Sequence, residues 1–507
     1  MTYDLKQRGG KLILLTAIIA SGMAFLDGTV VNIALPVIQE SFGASLGQLA
    51  WIVNAFALTL ASFLLISGAL ADRLGRKKMF LFGIVLFTLS SLWCALARDA
   101  TMLIIARAVQ GLGAAIMIPG SLTIINLSFE SSTRGKAIGL WSGLSGGIAA
   151  LGPFLGGALV QSFGWPSIFL INLPLGVIAF LVGWWVIAES KAEQEGKIDW
   201  WGVILLVLGL TGLSYGLMQA PARGFSHPFI LAGLIGGAVL LVAFILLELR
   251  IANAIMPLHI FKNRLVAGAN LVTLFLYFAL YGTIFFLPLI FQQAQGYTPL
   301  QAGLALLPSI LIITFLSGPA GGLADKIGPR KQMIFGPLTV AIGFASLIWP
   351  NVGTNYWTGY FPGLALFGLG MAFVIAPLTK SALSVEERFS GAASGVNNAV
   401  SRIAALLAVA ILGIVALGLF GDNLAEKLKQ TSLHEAQRQE IKNQADKLGG
   451  IEIPETFNQV EASEAARVID EAFVFSFRWI AGINALLAFL SALVSVWLIR
   501  PKVKPVI

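Results

Sequence analysis

Residues 68–77 read Gly-Ala-Leu-Ala-Asp-Arg-Leu-Gly-Arg-Lys, and residues 321–331 read Gly-Gly-Leu-Ala-Asp-Lys-Ile-Gly-Pro-Arg-Lys. The second string repeats the first with one inserted residue. Each follows a long apolar stretch and precedes another, opening Met79-Phe80 after the first copy and Met333-Ile334 after the second. A basic, glycine-containing string between two apolar segments reads as a short polar loop joining consecutive helices. Its recurrence at corresponding places predicts a chain assembled from two related helical bundles.

The segments around these loops are apolar along the whole chain. Hydrophobic residues make up 57% of its 507 residues and charged residues 11%, against roughly 25% charged in soluble domains. Apolar stretches of about 20 residues recur, each long enough to cross a hydrocarbon core roughly 30 Å thick. The bilayer is therefore the solvent, and the fold class is an all-α polytopic membrane protein. Fourteen spans are expected, near residues 12–36, 48–71, 79–97, 102–127, 136–160, 167–188, 200–219, 228–249, 266–291, 300–324, 333–349, 356–381, 391–419 and 473–499. The plan is a six-helix bundle over residues 1–190, two additional helices with their linkers over 191–263, and a second six-helix bundle over 264–507. The polar stretch Met1 to Lys11 runs directly into an apolar one broken by Asp27, unlike a cleavable signal peptide, so the first helix is expected to be kept.

The net charge of +8 is sorted by side. On the fourteen-span count one set of loops and the termini collect Lys6, Arg8 and Lys11, then Arg73, Arg76, Lys77 and Lys78, then Arg134 and Lys136, with further bases at Arg250, Lys262, Arg264, Lys326, Arg330, Lys331 and Arg500. The short loops opposite hold Arg98 and Arg223. Basic loops stay on the cytoplasmic side, which places both termini in the cytoplasm and explains the charge without a nucleic-acid partner. The segment 421–470 lies outside on this count and mixes Lys427, Lys429, Arg438 and Lys442 with Glu426, Glu435, Glu440 and Asp446. Leu424, Leu428, Ile441, Ala445 and Leu448 fall at helical spacing before Gly449 and Gly450, so an external helical cap is expected.

Cys94 is the single cysteine and sits in an apolar stretch, so no disulfide within the chain and no thiolate cluster can form. His227, His259 and His434 make no spaced ligand set, and neither a metal nor a cofactor is expected. No phosphate-cradling loop, histidine cluster or paired carboxylates occur at membrane depth, which disfavours an enzyme or a receptor.

Four motifs resemble those of the major facilitator superfamily, and of its fourteen-helix drug:proton antiporter branch in particular. The loop motif G-x-L-A-D-R-x-G-R-K is matched by Gly68, Leu70, Ala71, Asp72, Arg73, Gly75, Arg76 and Lys77. Leu26-Asp27-Gly28-Thr29-Val30-Val31-Asn32-Ile33-Ala34-Leu35-Pro36 is similar to the branch's L-D-x-T-V-V-N-x-A-L-P. Arg107, Gln110, Gly111 and Gly113 are similar to R-x-x-Q-G-x-G, while Gly147, Gly152, Pro153, Gly156 and Gly157 are similar to the motif associated with exporters. The chain departs from the family at Trp165-Pro166-Ser167-Ile168-Phe169, which lacks the usual basic residue but keeps Asn172 and Pro174. It also has no further acid well inside the C-terminal bundle, a feature of members that handle doubly charged drugs.

The resemblance implies a proton-coupled antiporter of the bacterial cytoplasmic membrane that exports amphipathic or hydrophobic small molecules. An exporter or flippase of one dedicated lipid or secondary metabolite is the alternative. The partners are then the small molecule, protons and the lipid bilayer, with an accessory envelope protein left open. Within this reading Asp27 binds and releases the coupling proton under the influence of Arg107, the two ionisable groups deep in the spans. Asp72 with Arg73 and Arg76, and Asp325 with Arg330, gate the cytoplasmic mouth by making and breaking contacts at helix ends. Asn54, Tyr277, Tyr281, Gln292, Gln293, Asn397 and Asn398 are candidates for the substrate pocket. Arg402 is an intramembrane base placed to snorkel.

Overall fold

The computed structural model describes residues 3–4, 7–191, 199–251, 258–385 and 390–499. It is helical throughout, and among the described residues no strand forms beyond one isolated bridge between Tyr3 and Phe129. The helices are α1 (Arg8–Phe42), α2 (Leu46–Leu74), α3 (Arg76–Ala95), α4 (Ala100–Ser128), α5 (Ser131–Ala150), α6 (Gly152–Phe163), α7 (Ser167–Leu170), α8 (Asn172–Val186) and α9 (Trp200–Arg223). They continue as α10 (Pro228–Glu248), α11 (Arg264–Leu289), α12 (Pro299–Ile327), α13 (Pro329–Ser346), α14 (Tyr356–Gly359), α15 (Phe361–Ala382), α16 (Ser390–Leu428), α17 (Glu435–Lys442) and α18 (Gln459–Leu498).

Each expected span coincides with helix, but fewer than fourteen qualify as membrane-crossing. By length and composition twelve helices among the described residues do so, or thirteen when the bent pair Lys136–Ala150 and Gly152–Phe163 is taken as one span. The expected span at 333–349 corresponds to α13, which is not among them; its first turn carries Arg330, Lys331 and Gln332, and the helix stops at Ser346. The pair bends by 43° at Leu151, two residues before Pro153. Proline lacks an N–H and cannot continue the ladder of the preceding helix, which accounts for the break.

The chain divides into two compact units. The first comprises Met1–Ala44, Gln48–Gly212 and Gly236–Ile255, and the second Ser45–Gly47, Leu213–Ile235 and Met256–Ile507. In the first, α1 packs on α4, α5, α6 and α8, and α3 packs on α4 and α8. Its interior is filled by Ile13, Met23, Phe80, Phe87, Met117 and Phe129. In the second, α11 packs on α16 and α18, and α15 packs on α12 and α13. Glycines let backbones approach in both. A Cβ on Gly113 of α4 would come within 2.7 Å of the Phe87 backbone of α3, and one on Gly370 of α15 within 2.6 Å of the Gly336 carbonyl of α13. Small residues at such seams let helices associate where lipid offers no hydrophobic drive between them.

The repeated loop is the same joint in both units. A single glycine separates α2 from α3 and α12 from α13: Gly75 with φ 114° and Gly328 with φ 84°. Side-chain-bearing residues avoid this region, so the glycine of the motif is the hinge residue that reverses the chain in one step.

α16 and α18 are 39 and 40 residues long. At about 1.5 Å per residue each is roughly 60 Å, about twice a hydrocarbon core, so both project out of the membrane, and the segment 421–470 folds around the projecting ends. Leu424, Leu428, Leu433, Ile441 and Leu448 are all buried there. Instead of one helix running to the expected stop at Gly449 and Gly450, α17 ends at Lys442 and a 3-10 turn covers Ala445–Gly450, kinked at Leu448 with φ 55°. The interleaved charges pair locally, Lys427 and Arg467 with Glu471 at 2.6 and 3.0 Å, and Lys447 with Glu452 at 3.0 Å.

Both joints predict a measurable asymmetry. At Gly75 a Cβ would also meet the Glu189 carboxyl at 2.9 Å, whereas at Gly328 no described atom lies within 4 Å. Gly75→Ala is expected to destabilise by about 1–3 kcal/mol from backbone strain plus this clash, and to lower the thermal midpoint of the purified protein more than Gly328→Ala does.

Candidate functional site

Asp27 lies midway along α1, in a helix whose residues from Val30 to Pro36 are all buried. Arg107 and Gln110 lie three residues apart on α4, on one face of the helix. Asp99 caps α4 by accepting from the Met102 amide at 2.8 Å, which fixes where that face begins. Ser91 and Cys94 come from α3, and Asn172 opens α8. All six side chains are buried, Asp27 and Arg107 with 1% of their surfaces exposed.

They form one network. Arg107 donates to Asp27 Oδ2, to Gln110 Oε1 at 2.6 Å, and through Nε to the Ile52 carbonyl of α2 at 3.1 Å. The Asp27 Oδ1 accepts from Gln110 Nε2 at 2.9 Å and from Asn172 Nδ2 at 3.4 Å. Gln110 and Asn172 also donate to the Ser91 hydroxyl at 2.8 and 3.3 Å. Phe56 lies under the guanidinium with its centroid 4.2 Å from the carbon, and Phe169 at 5.8 Å. The cation is thus held by a carboxylate, a carbonyl and two aromatic faces, and the carboxylate by three donors. A buried pair with this degree of hydrogen bonding offsets much of its desolvation cost. The Asn172 Oδ1 is buried with no partner, the one open acceptor beside the carboxylate among the described residues of this network.

The expected meeting of Asp27 and Arg107 is found. Gln110 and Asn172, noted in the sequence as motif residues, are the groups that bind the carboxylate beside Arg107. Ser91 carried no sequence signal, since a serine in an apolar helix is ordinary. α6 braces the same stretch of α1. A Cβ on Gly152 would lie 2.0 Å from the Thr29 hydroxyl, and one on Gly156 2.6 Å from Val30. Thr29 donates to the Ala149 carbonyl at 3.1 Å. Gly152, Pro153, Gly156 and Gly157 are all buried, and they let α6 sit directly against the helix bearing Asp27, two residues from it.

At the loops the outcome is mixed. The side chains of Asp72 and Asp325 lie outside the described residues. Arg73 and Arg76 have interaction partners. Arg330 donates to the Val496 carbonyl at 3.0 Å, in the last turn of α18, where a cation meets the negative end of the helix. The group that caps α3 is one the sequence reading did not single out: Glu189 accepts from the Lys77 and Lys78 amides at 3.1 and 3.2 Å, while Lys77 Nζ donates to the Trp184 carbonyl at 2.6 Å.

Among the pocket candidates, Asn397 is committed to helix pairing, donating to Asn270 Oδ1 at 3.2 Å and to the Thr273 hydroxyl at 2.8 Å on α11. Tyr277 and Tyr281 stand together on α11 with ring centroids 6.1 Å apart. Asn54 is buried, Gln292 and Gln293 lie in the π-turn Ile290–Ala294, and these three and Asn398 all have partners. Among the described residues no cluster of His, Cys, Asp and Glu is arranged to hold a metal.

The network predicts a non-additive response. Asp27→Asn or Arg107→Gln alone leaves a buried charge uncompensated and is expected to cost about 3–5 kcal/mol; the double variant recovers most of that loss, read as the thermal midpoint in detergent.

Comparison with known proteins places this arrangement in context. The model of the Major Facilitator Superfamily matches residues 17–409. The methylenomycin A resistance protein of Streptomyces coelicolor is 36% identical over 397 residues, covering 78% of this chain and 83% of that protein. The multidrug resistance protein Stp of Mycobacterium tuberculosis is 31% identical over 477 residues, covering 92% and 88%. Among solved structures, a bacterial homolog of the human lysosomal transporter Spinster, in an inward-facing conformation, aligns with a TM-score of 0.65 at 17% identity, covering 97% of this chain and 98% of that one. The xylose transporter XylE from E. coli aligns with a TM-score of 0.59 at 14% identity over 97% of both chains.

Proposed function

Because the chain belongs to the Major Facilitator Superfamily, and is therefore a multi-pass membrane transporter and not an enzyme, we propose that it exports amphipathic or hydrophobic small molecules in exchange for protons. The observation that carries this reading is the buried node of Asp27, Arg107, Gln110 and Asn172. It is the one place in the first unit's described membrane helices where an acid and a base are both buried, and it is braced by the glycines of α6. A proton arriving at Asp27 removes the charge that holds Arg107, frees Gln110 and Asn172, and loosens α1 from α4 and α8 together. Loss of the proton restores the pair. Substrate export and proton entry are then alternating occupants of two states of one bundle.

Relatives named for multidrug resistance and for antibiotic resistance or export support outward movement of such compounds. Relatives named for a single antibiotic favour a second reading, a pump with one dedicated native compound. In the proposed arrangement the protein lies in the cytoplasmic membrane with both termini inside. It is organised as bundles over 1–190 and 264–507 with linker helices over 191–263, and the helical loop 421–470 is outside. Asp72, Arg73 and Arg76 gate the cytoplasmic mouth together with Asp325 and Arg330.

The test is proton flux in inverted vesicles energised to an acid interior, on addition of ethidium, rhodamine 6G or pyrenebutyrate. Export in exchange for protons predicts substrate-dependent alkalinisation of the interior, abolished by Asp27→Asn. Unchanged flux in that variant removes Asp27 from the coupling.

A further inference from the structure

The second unit holds an intramembrane cation that pairs with no acid among the described residues. α16 brings Arg402 beside the tyrosine pair of α11, where its guanidinium donates to the Tyr281 hydroxyl at 3.5 Å. Tyr281 lies roughly 25 Å along the helix from Arg264 and roughly 20 Å from Ala294, at about 1.5 Å per residue. That bond therefore ties the charge to mid-helix depth instead of letting it snorkel to a membrane surface. Both helices are long and apolar enough to span a membrane. Asn397, between one and two turns earlier on α16, bonds Asn270 and Thr273, which holds that stretch of α16 against α11.

A cation at this depth calls for a counter-charge. Arg107 has Asp27. From Arg264 to Gly421 the sequence holds three acids, Asp325, Glu386 and Glu387, and residues 472–507 contain none. Arg402 stands roughly 18 Å along α16 from Ser390, about half a hydrocarbon core from the helix start. Guanidinium offers five N–H donors in a planar fork, and the Tyr281 hydroxyl takes one. Arg402, Tyr277 and Tyr281 all remain partly exposed. Charge, free donors and two aromatic faces on one site are the elements that hold an oxyanion attached to an apolar body.

We infer that Arg402, Tyr281 and Tyr277 form the subsite for the acidic group of the exported amphiphile, a carboxylate or another singly charged oxyanion. The inference rests on the reading of the chain as an exporter. The acid group supplies the counter-ion that the bundle lacks, and its apolar body lies along the tyrosines. The same charge disfavours doubly cationic compounds, in keeping with the absence of acids from this bundle.

The test uses three fluorescent probes with one apolar body: pyrenebutyrate, its methyl ester, and the corresponding butyl-trimethylammonium cation. They are titrated onto the full chain in detergent, without a gradient. The wild type is expected to prefer the acid. Arg402→Gln is expected to weaken the acid about tenfold, as for loss of a charge-assisted hydrogen bond, with ester binding within about twofold and Arg402→Lys retaining most of the preference. Should Arg402→Gln fail to fold, Tyr281→Phe carries the test, with about threefold loss for the acid alone. Equal losses for all three probes, or an ester bound as well as the acid by the wild type, overturn the inference. So does release of co-purified phosphatidylglycerol by Arg402→Gln with pyrenebutyrate binding unchanged, since the cation then serves a lipid headgroup. Arg402-dependent preference for the acid with no gradient-driven transport of any probe supports the subsite and overturns the exporter reading.

Discussion

A guanidinium is costly to bury inside a helical bundle without a counter-charge, and the first unit is arranged around that constraint. Arg107 is enclosed by Phe56 and the Ile52 carbonyl of α2, Phe169 of α7 and Asp27 of α1. Satisfying it draws α1, α2, α4 and α7 to one point. Satisfying Asp27 in turn draws in Gln110 and Asn172, and through Ser91 the helix α3. Under the proposed coupling, a single proton on the carboxyl group would act on all of these contacts at once, so that a small charge change could move whole helices.

The second unit solves the corresponding problem differently. It repeats the glycine joint of the first, with Gly328 standing where Gly75 stands, and it repeats the glycine seam between the third and fourth spans. It does not repeat the ion pair. Its helices are joined by neutral polar contacts, Asn397 with Asn270 and Thr273, and Asn484 with Thr283 at 3.1 Å. Its deep cation Arg402 rests against the Tyr281 hydroxyl. The two units therefore differ in their charges, one holding a buried internal ion pair and the other a cation against a tyrosine hydroxyl.

What was legible in the sequence follows the same physics. The repeat at 68–77 and 321–331 was readable because a tight basic loop permits few residue types, and it marked both joints correctly. Asp27 and Arg107 were readable because charge is rare in apolar helices. Glu189 was not: it lies at a helix end where acids are common, and its partners Lys77 and Lys78 are more than a hundred positions away, so no local period connects them. Helix ends were also poorly legible. Apolar content marks where a helix enters lipid but not where it stops, and so α1 runs to Phe42 and α16 to Leu428, well past the apolar segments. The bend at Leu151 was half visible, since Pro153 was noted but its angle depends on how closely α6 presses on Thr29 and Val30.

The account stands on the carboxyl of Asp27 exchanging its proton as substrate binds. The most direct measurement is proton release from the purified protein in weakly buffered detergent, followed with a soluble pH indicator on addition of pyrenebutyrate at a pH where the probe itself is fully ionised. The account predicts release on probe binding in the wild type and none in Asp27→Asn when that variant binds the probe normally. Equal release from both proteins, or binding without release in the wild type, contradicts it.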